Sequence, residues 1–117
     1  MKRFNAAILG FGKGGKTLAN ALGAAGWTVA VIEKSPAMYG GTCINVGCIP
    51  SKSLVSSAAH SARLGGSFAE KAQRYAEAVA EKSRLTASLR QKNYDKLNQQ
   101  PSISVMDGTA SFLDSTH

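Results

Sequence analysis

A chain of 117 residues with 44% hydrophobic side chains can bury one core and no more, and its composition is that of a globular domain rather than a disordered or fibrous one. Its formal charge is +7, from 14 Lys and Arg against 7 Asp and Glu. Eight of the 14 cations lie between Arg63 and Lys96 with acids interleaved, the pattern of a solvated helical face, and no apolar run is long enough to span a membrane. Neither nucleic acid nor membrane is therefore expected as a partner. Lys2 and Arg3 precede an apolar run, but Asn5 and Gly10 interrupt it and Lys13 ends it, so the expected compartment is cytoplasmic rather than secretory.

In chain order, Phe4 to Leu9 reads as a short strand running into a glycine-rich turn. Thr17 to Ala25 reads as a helix, with Leu18 and Leu22 on one face and Gly26 placed to end it. Trp27 to Ile32 reads as a second strand that closes at Glu33. Strand, glycine turn, helix and strand within about thirty residues make half of a doubly wound α/β sheet. Lys34 to Gly41 reads as a loop. A helix follows the cysteines to about Arg63, and Gly65-Gly66 breaks it. Phe68, Ala72, Tyr75 and Val79 mark one face of another helix. Leu85 and Leu89 drift off that face, which predicts a bend or break near Lys82 to Thr86. After Pro101, Ile103 to Asp107 and Thr109 to Leu113 read as two short strands joined at Gly108. The predicted fold class is α/β, a βαβ unit with a parallel sheet, then helices and two short C-terminal strands.

Gly10, Gly12 and Gly15 match G-x-G-x-x-G between a strand and a helix. The first glycine allows the tight turn, the second lets a pyrophosphate approach the backbone, and the third permits close helix–strand packing. The helix start offers amide groups to phosphate. Glu33 lies 18 residues after Gly15 at the end of the second strand, where a carboxylate can accept ribose hydroxyls. Gly10, Gly15, Lys16 and Thr17 also match the phosphate loop G-x-x-x-x-G-K-[ST], with Asp107 as a second magnesium ligand. Gly12 and the position of Glu33 favour the dinucleotide reading, and the phosphate-loop domain stays as the alternative.

Both cysteines stand in Gly40-Gly41-Thr42-Cys43-Ile44-Asn45-Val46-Gly47-Cys48-Ile49-Pro50-Ser51-Lys52. At i and i+5 they can meet across about one turn. A bridge there would contribute only about 2 kcal/mol through chain entropy, little for a structural staple. Two cysteines without histidines at ligand spacing make no closed zinc site, so no metal site is expected. A noncatalytic remnant with free or metal-binding thiols is the remaining alternative.

The thirteen residues closely resemble the redox-active segment of the flavin-dependent pyridine nucleotide–disulfide oxidoreductases, the family of lipoamide dehydrogenase, glutathione reductase and mercuric reductase. The details around Gly-Phe-Gly-Lys and Ala-Met-Tyr-Gly-Gly look most like its bacterial reactive-chlorine-resistance branch. The resemblance implies a Rossmann-like FAD-binding domain, with Gly10, Gly12, Gly15, Glu33, Lys34, Gly41, Thr42, Lys52 and Ala110 as cofactor-binding residues. It implies a Cys43–Cys48 redox disulfide in which Cys48 faces the flavin and Cys43 exchanges with substrate. Electrons would pass from NAD(P)H through FAD to that disulfide and on to a disulfide, oxidant or metal ion. The expectation is thus that residues 1–117 are an incomplete FAD-binding domain, lacking the NAD(P)-binding and dimerisation domains of a homodimeric enzyme and inactive alone. His60 and His117 do not sit in the histidine motif that protonates the outer thiol in that family.

Overall fold

The computed structural model describes Met1–His117. Strand β1 (Ala6–Leu9) leads through the glycine turn into helix α1 (Lys13–Ala24), and strand β2 (Val29–Glu33) follows. A single 3-10 turn, Pro36–Met38, precedes the one-turn helix α2 (Thr42–Asn45), then α3 (Cys48–Leu64), α4 (Phe68–Asn98) and strand β3 (Ile103–Asp107). The sheet is parallel in the order β1-β2-β3, with Ala6 opposite Val29 and Val29 opposite Ile103. The expected α/β architecture with a parallel sheet is therefore present.

β2 is paired on both edges, which is why Val29, Ala30 and Val31 are buried in succession whereas β1 alternates in exposure. The core joins Phe11, Ala19, Val29, Val31, Leu97 and Ile103, so α1, the sheet and the end of α4 share one centre. On α1 it is Ala19 and Leu22 that meet this core, while Leu18 is half exposed, contrary to the expected face. α1 ends as expected at Gly26: Trp27 N–H donates to Leu22 O (3.0 Å) and Gly26 N–H to Gly23 O (3.1 Å), the paired bonds of a Schellman stop.

Two expectations fail. α4 runs unbroken for 31 residues through Lys82 to Thr86. Its apolar face drifts because its first half packs along α3 and its second half packs on α1, α2 and β3. The second C-terminal strand, Thr109 to Leu113, does not form. Nothing in the sheet pairs with it, and Phe112 and Leu113 stand exposed.

α4 starts on a capping box. Glu70 N–H donates to Ser67 Oγ (3.2 Å) and Ser67 N–H to Glu70 Oε2 (2.7 Å). The Arg74 guanidinium ties α3 to α4 through Ser61 Oγ (2.9 Å) and Gly65 O. The helical hairpin extends the molecule to 62 × 28 × 17 Å. No helix is long and apolar enough to cross a membrane.

Candidate functional site

The glycine turn gives each glycine a different task. Gly10 has φ +98°, a conformation side chains avoid. A Cβ placed on Gly12 would meet nothing within 4 Å, so its face is open to an approaching group. A Cβ on Gly15 would lie 2.5 Å from Gly10 O and 3.0 Å from Ile8 Cγ2, so only glycine lets α1 pack this closely on β1. α1 starts four residues before the expected Thr17. Gly12 is its N-cap, with no side-chain cap and no acid in the first turn, and its leading amides are left for an anion.

Glu33 closes the turn from the other side. Its Oε2 accepts from Phe11 N–H (2.9 Å) and its Oε1 from Ser35 N–H (3.1 Å). Each carboxylate oxygen can accept a further hydrogen bond. Gly10, Glu33, Lys34 and Ala110 line a groove of about 320 Å³ at the C-terminal ends of the strands, where open α/β sheets bind ligands. Larger grooves between α3 and α4 contain none of the expected site residues.

The cysteine segment is set against this turn. Gly41 has φ +93°, and a Cβ there would come within 2.8 Å of Gly12 Cα. Thr42 opens α2 and Cys43 lies within it; Val46 and Gly47 N–H both return to Thr42 O (3.0 and 2.8 Å). Cys48 is the first residue of α3, after the N-cap Gly47. Both cysteines are exposed free thiols. A thiol hydrogen bond with Cys48 pushes Cys43 above its ordinary value, with loss of hydration and the charge of a Cys48 thiolate adding and Lys13 opposing. Lys52 is exposed on α3, away from the groove-lining set.

The phosphate-loop side chains are engaged elsewhere. Lys16 Nζ donates to Asn93 Oδ1 of α4 (2.6 Å), and burial, with Lys13 and Lys96 nearby, holds it below the usual lysine value. Thr17 Oγ1 donates to Lys13 O (2.7 Å), and Asp107 accepts from the Tyr39 hydroxyl. Burial and Asp107 together push that hydroxyl well above its ordinary value.

Tyr39, Asn45 and Asn93 are contributors that the sequence reading did not single out. Tyr39 packs between Phe11 and Tyr94, with ring centroids at 5.3 and 4.9 Å. Asn45 lies between the two cysteines and Tyr39 just before the two glycines, and that adjacency was the available signal.

The glycine turn, the acidic strand end and the dithiol follow one another in sequence and meet in space. The family model described as pyridine nucleotide-disulphide oxidoreductase matches residues 4–117. The chain belongs to this family. Members of the pyridine nucleotide-disulphide oxidoreductase family are flavin-dependent and use FAD and NAD(P)H. The chain is 49% identical over 113 residues to the probable pyridine nucleotide-disulfide oxidoreductase RclA of Escherichia coli, covering 97% of this chain and 23% of that protein. It is 33% identical over 118 residues to a mercuric reductase of Streptomyces lividans, covering 95% of this chain and 24% of that protein. Among solved structures it resembles the Cu(II) complex of the HOCl-induced flavoprotein disulfide reductase RclA from E. coli, with TM-score 0.78 and 47% identity over 94% of this chain and 23% of that one. The chain thus spans about a quarter of the length of these relatives.

Proposed function

We propose that residues 1–117 form the FAD-binding, dithiol-bearing part of a disulfide reductase, the nicotinamide-binding and dimerisation parts lying in the length of the relatives that this chain does not match. One observation carries the reading: a nucleotide-type glycine turn and a close pair of thiols share a backbone contact, Gly41 on Gly12. The residues fit the cofactor. The open face of Gly12 and the uncapped start of α1 suit a pyrophosphate, and Glu33 suits a ribose. Lys34 and Ala110 line the same groove, while Thr42 and Lys52 flank the dithiol. Bound there, FAD supplies two-electron transfer between NAD(P)H and the dithiol.

The chain's own chemistry is thiol exchange. The Cys43 thiolate attacks one sulfur of a substrate disulfide, releasing the other half as a thiol. Cys48 then attacks Cys43 and releases the second thiol, so the substrate gains the two electrons that the new Cys43–Cys48 bond represents. A metal ion is a second kind of acceptor in this reading, since one relative is a mercuric reductase. Without a second dinucleotide turn, the 117 residues alone are expected to sustain no NAD(P)H-driven turnover.

Titration of FAD into the chain, followed by flavin fluorescence, tests the assignment. The expected result is saturable binding, weakened at least tenfold by Gly12→Val. Unchanged flavin binding in Gly12→Val, together with magnesium-dependent ATP binding lost in Lys16→Ala, would establish the phosphate-loop alternative instead.

A further inference from the structure

Asn45 lies between the two cysteines, and its side chain turns back across the segment that carries them. Its Nδ2 donates to Tyr39 O and to Gly41 O, each at 2.9 Å. Both amide hydrogens are thereby used. Its Oδ1 is buried and has no hydrogen-bond partner. A buried acceptor left unpaired is costly, so the amide is oriented by its two carbonyl partners, of which Gly41 O also accepts the Asn45 backbone N–H (3.2 Å). Of the side chains close to this size, only a neutral amide offers two donors from one atom.

The two carbonyls are well chosen anchor points. Tyr39 is held by its packing on Phe11 and Tyr94 and by its bond to Asp107 at the end of β3. Gly41 is held by its backbone contact with Gly12. Asn45 therefore ties the far end of α2 to two fixed points at its near end, and Cys43 stands between them. Val46 and Gly47 continue from the same residue directly into Cys48, so the tie restrains both cysteine backbones.

We propose that Asn45 is a positioning residue for the dithiol, restraining the backbones of Cys43 and Cys48 relative to each other through its two donors. The inference rests on the reading of these cysteines as a redox pair. Bringing two groups into fixed geometry raises their effective concentration, so the tie favours intramolecular closure over mixed disulfides with external thiols. In closure both cysteine thiols lose their protons and together two electrons, and one glutathione disulfide takes them up to become two glutathione molecules.

The experiment equilibrates the chain with defined mixtures of reduced and oxidised glutathione, quenches it in acid, alkylates the free thiols and weighs the products. Asn45→Leu keeps the branching of the side chain at Cγ and removes both donors, and Asn45→Ala removes the side chain. Circular dichroism and urea denaturation establish that each variant is folded under the assay conditions. The expected result is a closure equilibrium constant about tenfold lower in both variants, with a larger share of glutathione mixed disulfide. A merely structural role would shift the denaturation midpoint and leave this constant alone. Closure within twofold of the parent in a folded Asn45→Leu chain would overturn the proposal. If both variants unfold, the same measurement on Tyr39→Phe, which keeps the backbone acceptor but loses the bond to Asp107, is expected to lower closure severalfold; unchanged closure there would overturn it too. Failure of the parent chain itself to close would refute the redox-pair reading, and the inference with it.

Discussion

Gly41→Ala should separate the dithiol segment from the nucleotide turn. Gly41 has φ +93° and ψ −174°, a region essentially reserved for glycine, where an alanine costs about 1–3 kcal/mol in backbone strain. The added Cβ would also fall 2.8 Å from Gly12 Cα and 3.4 Å from Lys13 N. Both are backbone atoms that cannot swing aside, so one segment must move, at a cost of about 1–3 kcal/mol typical of overpacking. Together the two effects make a loss of roughly 3 kcal/mol reasonable, a large share of the 5–15 kcal/mol that holds a typical domain. With a urea m-value of about 1.5 kcal/mol/M, the unfolding midpoint should fall by about 2 M. Gly14→Ala is the control. It lies in the first turn of α1, its Cβ would meet nothing within 4 Å, and alanine there should stabilise by up to about 1 kcal/mol. A Gly41→Ala midpoint within 0.3 M of the parent, on the same urea scale, would refute the contact as described.

The remaining predictions concern titration. The folded value of Cys43 is raised by its bond with Cys48, so that bond is intact below the ordinary 9.0 and is lost as pH rises through the higher folded value. Iodoacetamide labelling of Cys43 against pH should therefore shift toward lower pH in Cys48→Ala; an unchanged profile would mean that the two thiols do not interact. Glu70 is held below its ordinary 4.5 chiefly by the Ser67 amide. Its cap therefore supports α4 above that value and is lost as pH falls through the lower folded one. Amide exchange in the first turn of α4 should quicken across that acid range in the parent, and Glu70→Ala, which removes the titrating carboxylate, should exchange quickly throughout.

Where local pattern and tertiary partner agreed, the elements could be read from sequence. β2 and β3 are short β-branched runs that lie beside each other, and the turn at Gly10 and the close helix–strand packing at Gly15 follow from local pattern. The sequence pattern places the start of α1 late because Gly14 and Gly15 are poor helix formers, yet the turn needs the small size of Gly15. The drift of the apolar face in α4 marks a change of packing partner, and no local pattern distinguishes that from a break. Thr109 to Leu113 has strand composition, but a strand also needs a neighbour with free backbone groups. Asn45 and Tyr39 escaped notice because their roles depend on carbonyls and rings brought in by other segments.

The placement of α3 and α4 between β2 and β3 has a consequence for how the chain folds. The first pairing joins Ala6 to Val29, close in sequence, while the second joins Val29 to Ile103 across the whole helical excursion. Closing the longer loop costs only about 1 kcal/mol more, because loop entropy grows with the logarithm of length. The helical hairpin can form from local contacts and deliver β3 from the foot of α4, where Leu97 and Ile103 enter the core together. Joining Cys43 to Cys48 would shorten that excursion by only a few residues, a change worth about 0.1 kcal/mol in loop entropy. The order of assembly should therefore be the same in the reduced and the oxidised chain: βαβ unit and hairpin first, β3 last.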